Sequence, residues 1–125
     1  MTRWRKLYQH LPYFEQAAER NPESFITEEL LFHAEYEQDL NEFLRDYHDL
    51  DWTDTRYPNT LEAAGISTAE QMAVAIPIAD MKVLKALLTR MVREERFAAG
   101  ALAQYASNGM VADVLCRLKE TDTLR

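Results

Sequence analysis

Apolar residues recur along this chain every three or four positions, the period that places one greasy face on a helix. Trp4, Leu7, Tyr8, Leu11, Phe14 and Ala18 predict a first helical segment over about 3–20, with a kink or break at Pro12, which lacks a backbone donor and clashes with the preceding turn. Asn21-Pro22 ends it. Thr27 reads as the next N-cap, with Glu28 and Glu29 in the first turn, and Phe32, Tyr36, Leu40, Phe43, Leu44 and Tyr47 form a buried stripe. That predicts one helix from Thr27 to about Tyr47, roughly 30 Å long at ~1.5 Å per residue. His48 to Asn59 reads as a loop with Leu50 and Trp52 tucked against the core, and Thr60 to Ala64 as a single helical turn closed by Gly65. Ser67 and Glu70 have capping-box spacing ahead of a short helix that Pro77 stops. Pro77 also counts against an extended piece over 73–78.

Asp80 then caps a helix over Met81 to about Glu95, whose broad apolar face holds Val83, Leu84, Leu87, Leu88, Met91 and Val92. A short helix over Phe97 to Ser107 ends at Asn108-Gly109, where glycine accepts the left-handed conformation. A last helix covers Met110 to about Leu118, and the tail from about Lys119 frays. The expected fold is all-α: a compact helical bundle of about five helices around one long acidic central helix, in a single domain over 1–125. Three glycines in 125 residues argue against a protein of many hairpins. Length and hydrophobic content suffice for one core without disulfides, and Cys116 is the sole cysteine. The basic start, with Arg3, Arg5 and Lys6, is not followed by the apolar segment that a secretory signal needs. The longest apolar run, Met72 to Ala79, is too short for a bilayer. A cytoplasmic protein with no membrane partner is expected.

Charge adds a direction. Between Glu28 and Asp54 there are ten carboxylates against Arg45 alone, a sum of −9, so the rest of the chain sums to +2. On a continuous helix Glu35, Asp39, Glu42, Asp46 and Asp49 would form one row beside the apolar stripe. A solvated helix face needs nothing more than this. The functional reading is electrostatic docking against a protein with a basic surface. A sharper version rests on the rise of ~6 Å per four residues, which approaches phosphate spacing and would suit an inhibitor that imitates nucleic acid. The acidic balance argues against direct nucleic-acid binding. The mildly basic stretch from Met81 to Leu118 lacks a recognition helix with polar and basic residues on its outer face.

Little other chemistry is legible. His33 lies four residues from both Glu29 and Glu37, but a metal needs further ligands, so neither metal nor cofactor is expected. His10 and His48 have no evident partners. Cys116, flanked by Val114, Leu115 and Leu118, reads as a small core residue rather than a nucleophile. No phosphate loop and no nucleophile elbow occurs.

The run from Leu87 to Leu118 carries Leu88, Thr89, Arg93, Glu95, Arg96, Phe97, Gly100, Arg117 and Leu118 at spacings that resemble the bacterial domain of unknown function 6508. Weaker echoes are Tyr13-Phe14-Glu15 and Leu50-Asp51-Trp52. The resemblance implies an α-helical fold and no activity. Physically, Arg93 stands at a helix end and Glu95 at the start of the next helix, each opposite the sign of the exposed backbone groups. Phe97 would plug the bundle, and Gly100 would permit a close helix approach. The expected function is non-enzymatic protein binding through the acidic helix, with homo-oligomerisation left open. An enzyme site around Arg93, Glu95 and Arg96 is the alternative from another class.

Overall fold

The computed structural model describes residues 4–29, 34–50 and 55–123. Leu7, Phe14 and Ala17 bury one face of a broken first segment, α1 (Arg5–Tyr8) and α2 (Leu11–Ala17). The break falls at Gln9-His10, ahead of Pro12, which occupies the first turn of α2, where its missing N–H costs nothing. Asn21 then caps a 3-10 turn at Pro22–Phe25 by accepting from the Glu23 amide at 2.9 Å.

The next segment departs from expectation. No single helix starts at Thr27. Residues 26–29 and 34–36 pair as a small antiparallel hairpin, β1 (Ile26–Glu29) and β2 (Ala34–Tyr36), and α3 begins only at Gln38 and runs to Asp49. A bulge lies between Ile26 and Glu28, and the Thr27 hydroxyl, instead of capping a helix, donates to the Glu35 carbonyl at 3.3 Å. The Glu37 amide donates to Phe25 O at 2.8 Å and closes the hairpin base. Glu28 and Glu29 therefore lie in a strand rather than a helical first turn. Local propensity is a weak prior that tertiary pairing overrides.

Three helices follow, α4 (Tyr57–Ala63), α5 (Ala69–Ala75) and α6 (Met81–Glu94). Gly65, at φ +75°, follows the end of α4 in the left-handed conformation. The capping box of α5 is one residue later than its sequence pattern suggests: Thr68 and Gln71 satisfy each other's amides, with Ser67 also donating to Gln71. Asp80 caps α6 through the Val83 amide at 2.9 Å, as predicted. The chain ends in α7 (Ala101–Ser107) and α8 (Met110–Thr123). The fold is thus all-α apart from one hairpin, with eight α-helices among the described residues rather than about five.

The central helix is α6, not an acidic one. Leu84, Ala86, Leu87, Leu88, Thr89 and Met91 are fully buried, and α4, α7 and α8 pack around them. Helix α8 also receives α1 and α2 and continues to Thr123, past the point where a frayed tail was expected. Asp122 explains the extension: it is buried and accepts from Tyr8 at 3.0 Å. No helix among the described residues is long and apolar enough to cross a membrane.

Phenol-to-carboxylate bonds join separate elements: Tyr8 to Asp122, Tyr13 to Glu37, Tyr36 to Glu95 and Tyr105 to Glu94. Burial, and then the neighbouring carboxylate, push the phenols of Tyr13, Tyr36 and Tyr105 well above their usual range. On the acid side, the Arg20 guanidinium lowers the Glu37 carboxyl, with Tyr13 assisting. The signs differ. Raised phenols contribute stability that is whole below their unfolded value of about 10 and fades as pH climbs beyond it. A depressed carboxyl contributes stability that fades as pH drops below its unfolded value. We expect alkaline unfolding to begin above about pH 10 and to coincide with phenolate absorbance, with Tyr36→Phe and Tyr105→Phe flattening the stability profile there. Free titration of all six phenols near pH 10 in a protein still folded by circular dichroism would refute this.

Candidate functional site

Helix α6 ends with two glutamates, and each is claimed by a tyrosine. Glu94 accepts from Tyr105 at 2.6 Å and from Arg90 Nε at 3.0 Å. Glu95 accepts from Tyr36 of β2 at 2.5 Å on Oε1. The same Glu95 carboxylate takes the amides of Gly100 and Leu102, both at 3.0 Å, so it caps α7 from across the turn and meets two of the orphan donors there. The expected role of Glu95 as an anion facing exposed amides holds, although the residue itself sits at the end of α6.

Gly100 is required by conformation. Its φ of +91° is left-handed, and a Cβ there would also touch Ile26 Cδ1 of the hairpin at 3.6 Å. The close neighbour is thus β1 rather than another helix. Between the clamp and the glycine, the 95–100 turn is drawn tight by backbone bonds from Phe97 and Ala98 to Glu94 O at 3.0 and 2.9 Å.

Phe97 does not plug the bundle. It is 87% exposed. The apolar space that it was expected to fill is occupied by Leu102, Ala103 and Ala106 of α7, all fully buried. Arg96 beside it is exposed, and its guanidinium makes no hydrogen bond or ion pair among the described residues. Arg93 has its guanidinium 6.0 Å from the Tyr57 ring centroid, an intramolecular cation–π contact. Leu88, Thr89 and Leu118 are fully buried, with the Thr89 hydroxyl donating to Lys85 O at 2.8 Å. Arg117 Nε donates to Ala79 O at 2.9 Å and ties α8 to the start of α6. Among the motif positions of that run, Arg96 and Phe97 are the ones whose side chains have no intramolecular task among the described residues.

The acidic row is divided. Glu35 lies on β2, directly opposite Glu28 of β1, with both exposed. Asp39 is exposed in the first turn of α3, and Glu42 accepts from Gln38 at 3.1 Å. Asp46 turns toward α1: it is 2.6 Å from His10 Nε2, 3.3 Å from Gln9 Nε2 and 3.9 Å from Lys6 Nζ. Asp49 meets Lys6 at 3.3 Å. Two of the five acids therefore join α3 to Lys6 and His10, and His10 has the partner that spacing along the sequence could not name.

Cys116 is exposed rather than in the core, with Sγ 3.7 Å from Glu120, and partial desolvation together with that carboxylate raises its thiol. A raised thiol is a poor nucleophile. His33 lies outside the described residues, among which no cluster suited to a metal occurs. Tyr13, Glu37 and Arg20 form a three-residue cluster, with Arg20 bonded to Glu37 at 2.9 Å. Tyr13 carried a sequence signal as part of the echo at Tyr13-Phe14-Glu15, and Glu37 only as a neighbour of His33.

A family model described as "Family of unknown function (DUF6508)" matches residues 1–123, and the chain belongs to that family. No curated protein and no solved structure matches.

The Glu95 joint has a measurable weight. Glu95→Ala removes a cap of two amides and the acceptor of a half-buried phenol. We expect a loss of about 2–4 kcal/mol in urea denaturation. Glu95→Gln, whose amide oxygen still accepts, should lose less. A Glu95→Ala protein as stable as wild type would show the joint to be dispensable.

Proposed function

We propose that this member of the DUF6508 family is a non-enzymatic protein-binding domain whose docking surface is the 95–100 turn and the hairpin beside it. The observation that carries the reading is Phe97, an aromatic side chain 87% exposed on a turn held from beneath by Glu95. Burying a phenylalanine is worth about 1.5–3 kcal/mol, and aromatic and arginine side chains dominate binding hot spots. Phe97 supplies the anchor and Arg96 a donor fork. A clamped turn loses little freedom on binding, which raises affinity.

The acidic surface takes part through the hairpin. Tyr36 and Ile26 attach the two strands to the turn, which brings exposed Glu28 and Glu35 alongside it. A partner with a basic rim around an apolar pocket would complement these carboxylates. Asp39 and Glu42 extend the negative rim, whereas Asp46 and Asp49 serve the joint between α1 and α3. The even spacing that would imitate nucleic acid needs Glu35 on the helix, so that reading draws no support from α3. An enzyme reading needs a free carboxylate near Arg93 and Arg96, and Glu95 is already bonded to two amides and a phenol.

Photo-crosslinking in the source cell tests this. A photoreactive phenylalanine analogue at position 97 should capture a discrete partner. Phe97→Ala should weaken binding to the captured protein by at least about tenfold, the scale of a hot-spot residue, while the melting temperature stays unchanged. Glu28→Gln with Glu35→Gln should slow association and blunt its salt dependence. Unchanged affinity in Phe97→Ala, or a large loss of its stability, would defeat the proposal.

A further inference from the structure

Phe97 is not the sole large apolar side chain turned to solvent. Val74 and Ile78 are 76% and 81% exposed and lie four residues apart, on α5 and the 3-10 turn that follows it. With Ala64 and Ala75 they line a groove of about 410 Å³, and the buried Ile66 lines it from beneath. Glu70, exposed in the first turn of α5, borders the same groove. The chain also carries a complement to this surface. Phe97 projects from the 95–100 turn next to Ala98 and Ala99, whose small side chains leave the ring clear, and the exposed Arg96 precedes it.

We propose that the groove of one copy receives Phe97 of a second copy, with Arg96 meeting Glu70 at its edge. The inference rests on the reading of Phe97 as a docking anchor and goes beyond it: a second copy covers the anchor until the partner takes it. An apolar projection and an apolar groove at different places on one surface join copies head to tail. Three exposed apolar side chains, Phe97, Val74 and Ile78, leave water together in that contact. The guanidinium and the carboxylate match in sign and make a charge-assisted pair. The net −7 of each copy opposes association, which keeps the contact weak and reversible. A partner with a basic rim meets no such repulsion and displaces the second copy, because both occupants bury the same ring.

Sedimentation equilibrium of the purified chain tests this. The average mass should rise with concentration, with a dissociation constant on the order of 100 µM. Phe97→Ala and Val74→Glu/Ile78→Glu, all at exposed positions, should each stay monomeric with unchanged circular dichroism. Mixed, the two variants should form a dimer and nothing larger, because one supplies the groove and the other the ring. Arg96→Glu should weaken association by about threefold or more. Arg96→Glu/Glu70→Arg should restore it, whereas Arg96→Glu/Glu15→Arg, of equal net charge, should not. The proposal falls if the wild type is still monomeric at about 500 µM, if the mixed variants stay apart, if the groove variant associates as wild type does, or if the charge swap restores nothing. Crosslinking from position 97 to another protein, with a wild type that stays monomeric, would leave the docking surface in place and remove the second copy from it.

Discussion

One carboxylate holds three parts of this molecule in register. Glu95 leaves the end of α6, accepts the phenol of Tyr36 from the hairpin and caps the first amides of α7. The amides of a helix start need acceptors, and no side chain of α7 itself supplies one, because its N-cap is Gly100. The glycine is there for its left-handed backbone. A residue chosen for conformation cannot also cap with a side chain, so the cap must come from elsewhere. Placing it on the preceding helix fixes the angle of the turn, and placing a phenol on the same oxygen brings the hairpin to it. The position of the exposed Phe97 therefore follows from a constraint that lies entirely beneath it.

The same economy runs through the rest of the fold. An acidic chain risks self-repulsion, which destabilises a compact state. Here many of the acids are acceptors inside the structure. Asp122, Glu37 and Glu94 each receive a phenol, and Asp46 and Asp49 meet Lys6, with His10 also at Asp46. Charged acceptors make stronger bonds than neutral ones, and they link separate elements. What remains exposed is a smaller set, Glu28, Glu35, Asp39 and neighbours, so the surface left for recognition is narrower than the composition suggests.

The parts of the fold that were legible in sequence are those governed by local stereochemistry. Asp80 after Pro77, the break beside Pro12 and the left-handed Gly65 and Gly109 each follow from the demands of one residue on its neighbours. The hairpin at 26–36 was not legible, because Ile26, Tyr36 and the residues between them satisfy a helical period as well as a strand, and tertiary contacts decide: Tyr36 must reach Glu95, and Ile26 must lie against Gly100. The length of α8 depends likewise on a bond across 114 residues, from Tyr8 to Asp122. Phe97 was misplaced for a related reason. Apolar character gives no sign of direction in a turn, and only the Glu95 cap, which starts α7 at Ala101 instead of Phe97, turns that ring outward. The site was thus visible as a cluster of residues but not as a surface.

Helix α6 carries the clamped turn at its end and is held at its start by Asp80, which accepts from the Val83 amide. Between Leu84 and Met91 every core-facing side chain is fully buried, and close-packed interiors resist small displacements. The Asp80 cap of α6 and the Glu95 cap of α7 are both already formed. Coupling to a distant site requires an element with two discrete arrangements, and a helix packed in this way offers no second state. The physical expectation is that a protein docks on the turn as on a rigid support, with α6 serving as the beam that carries it.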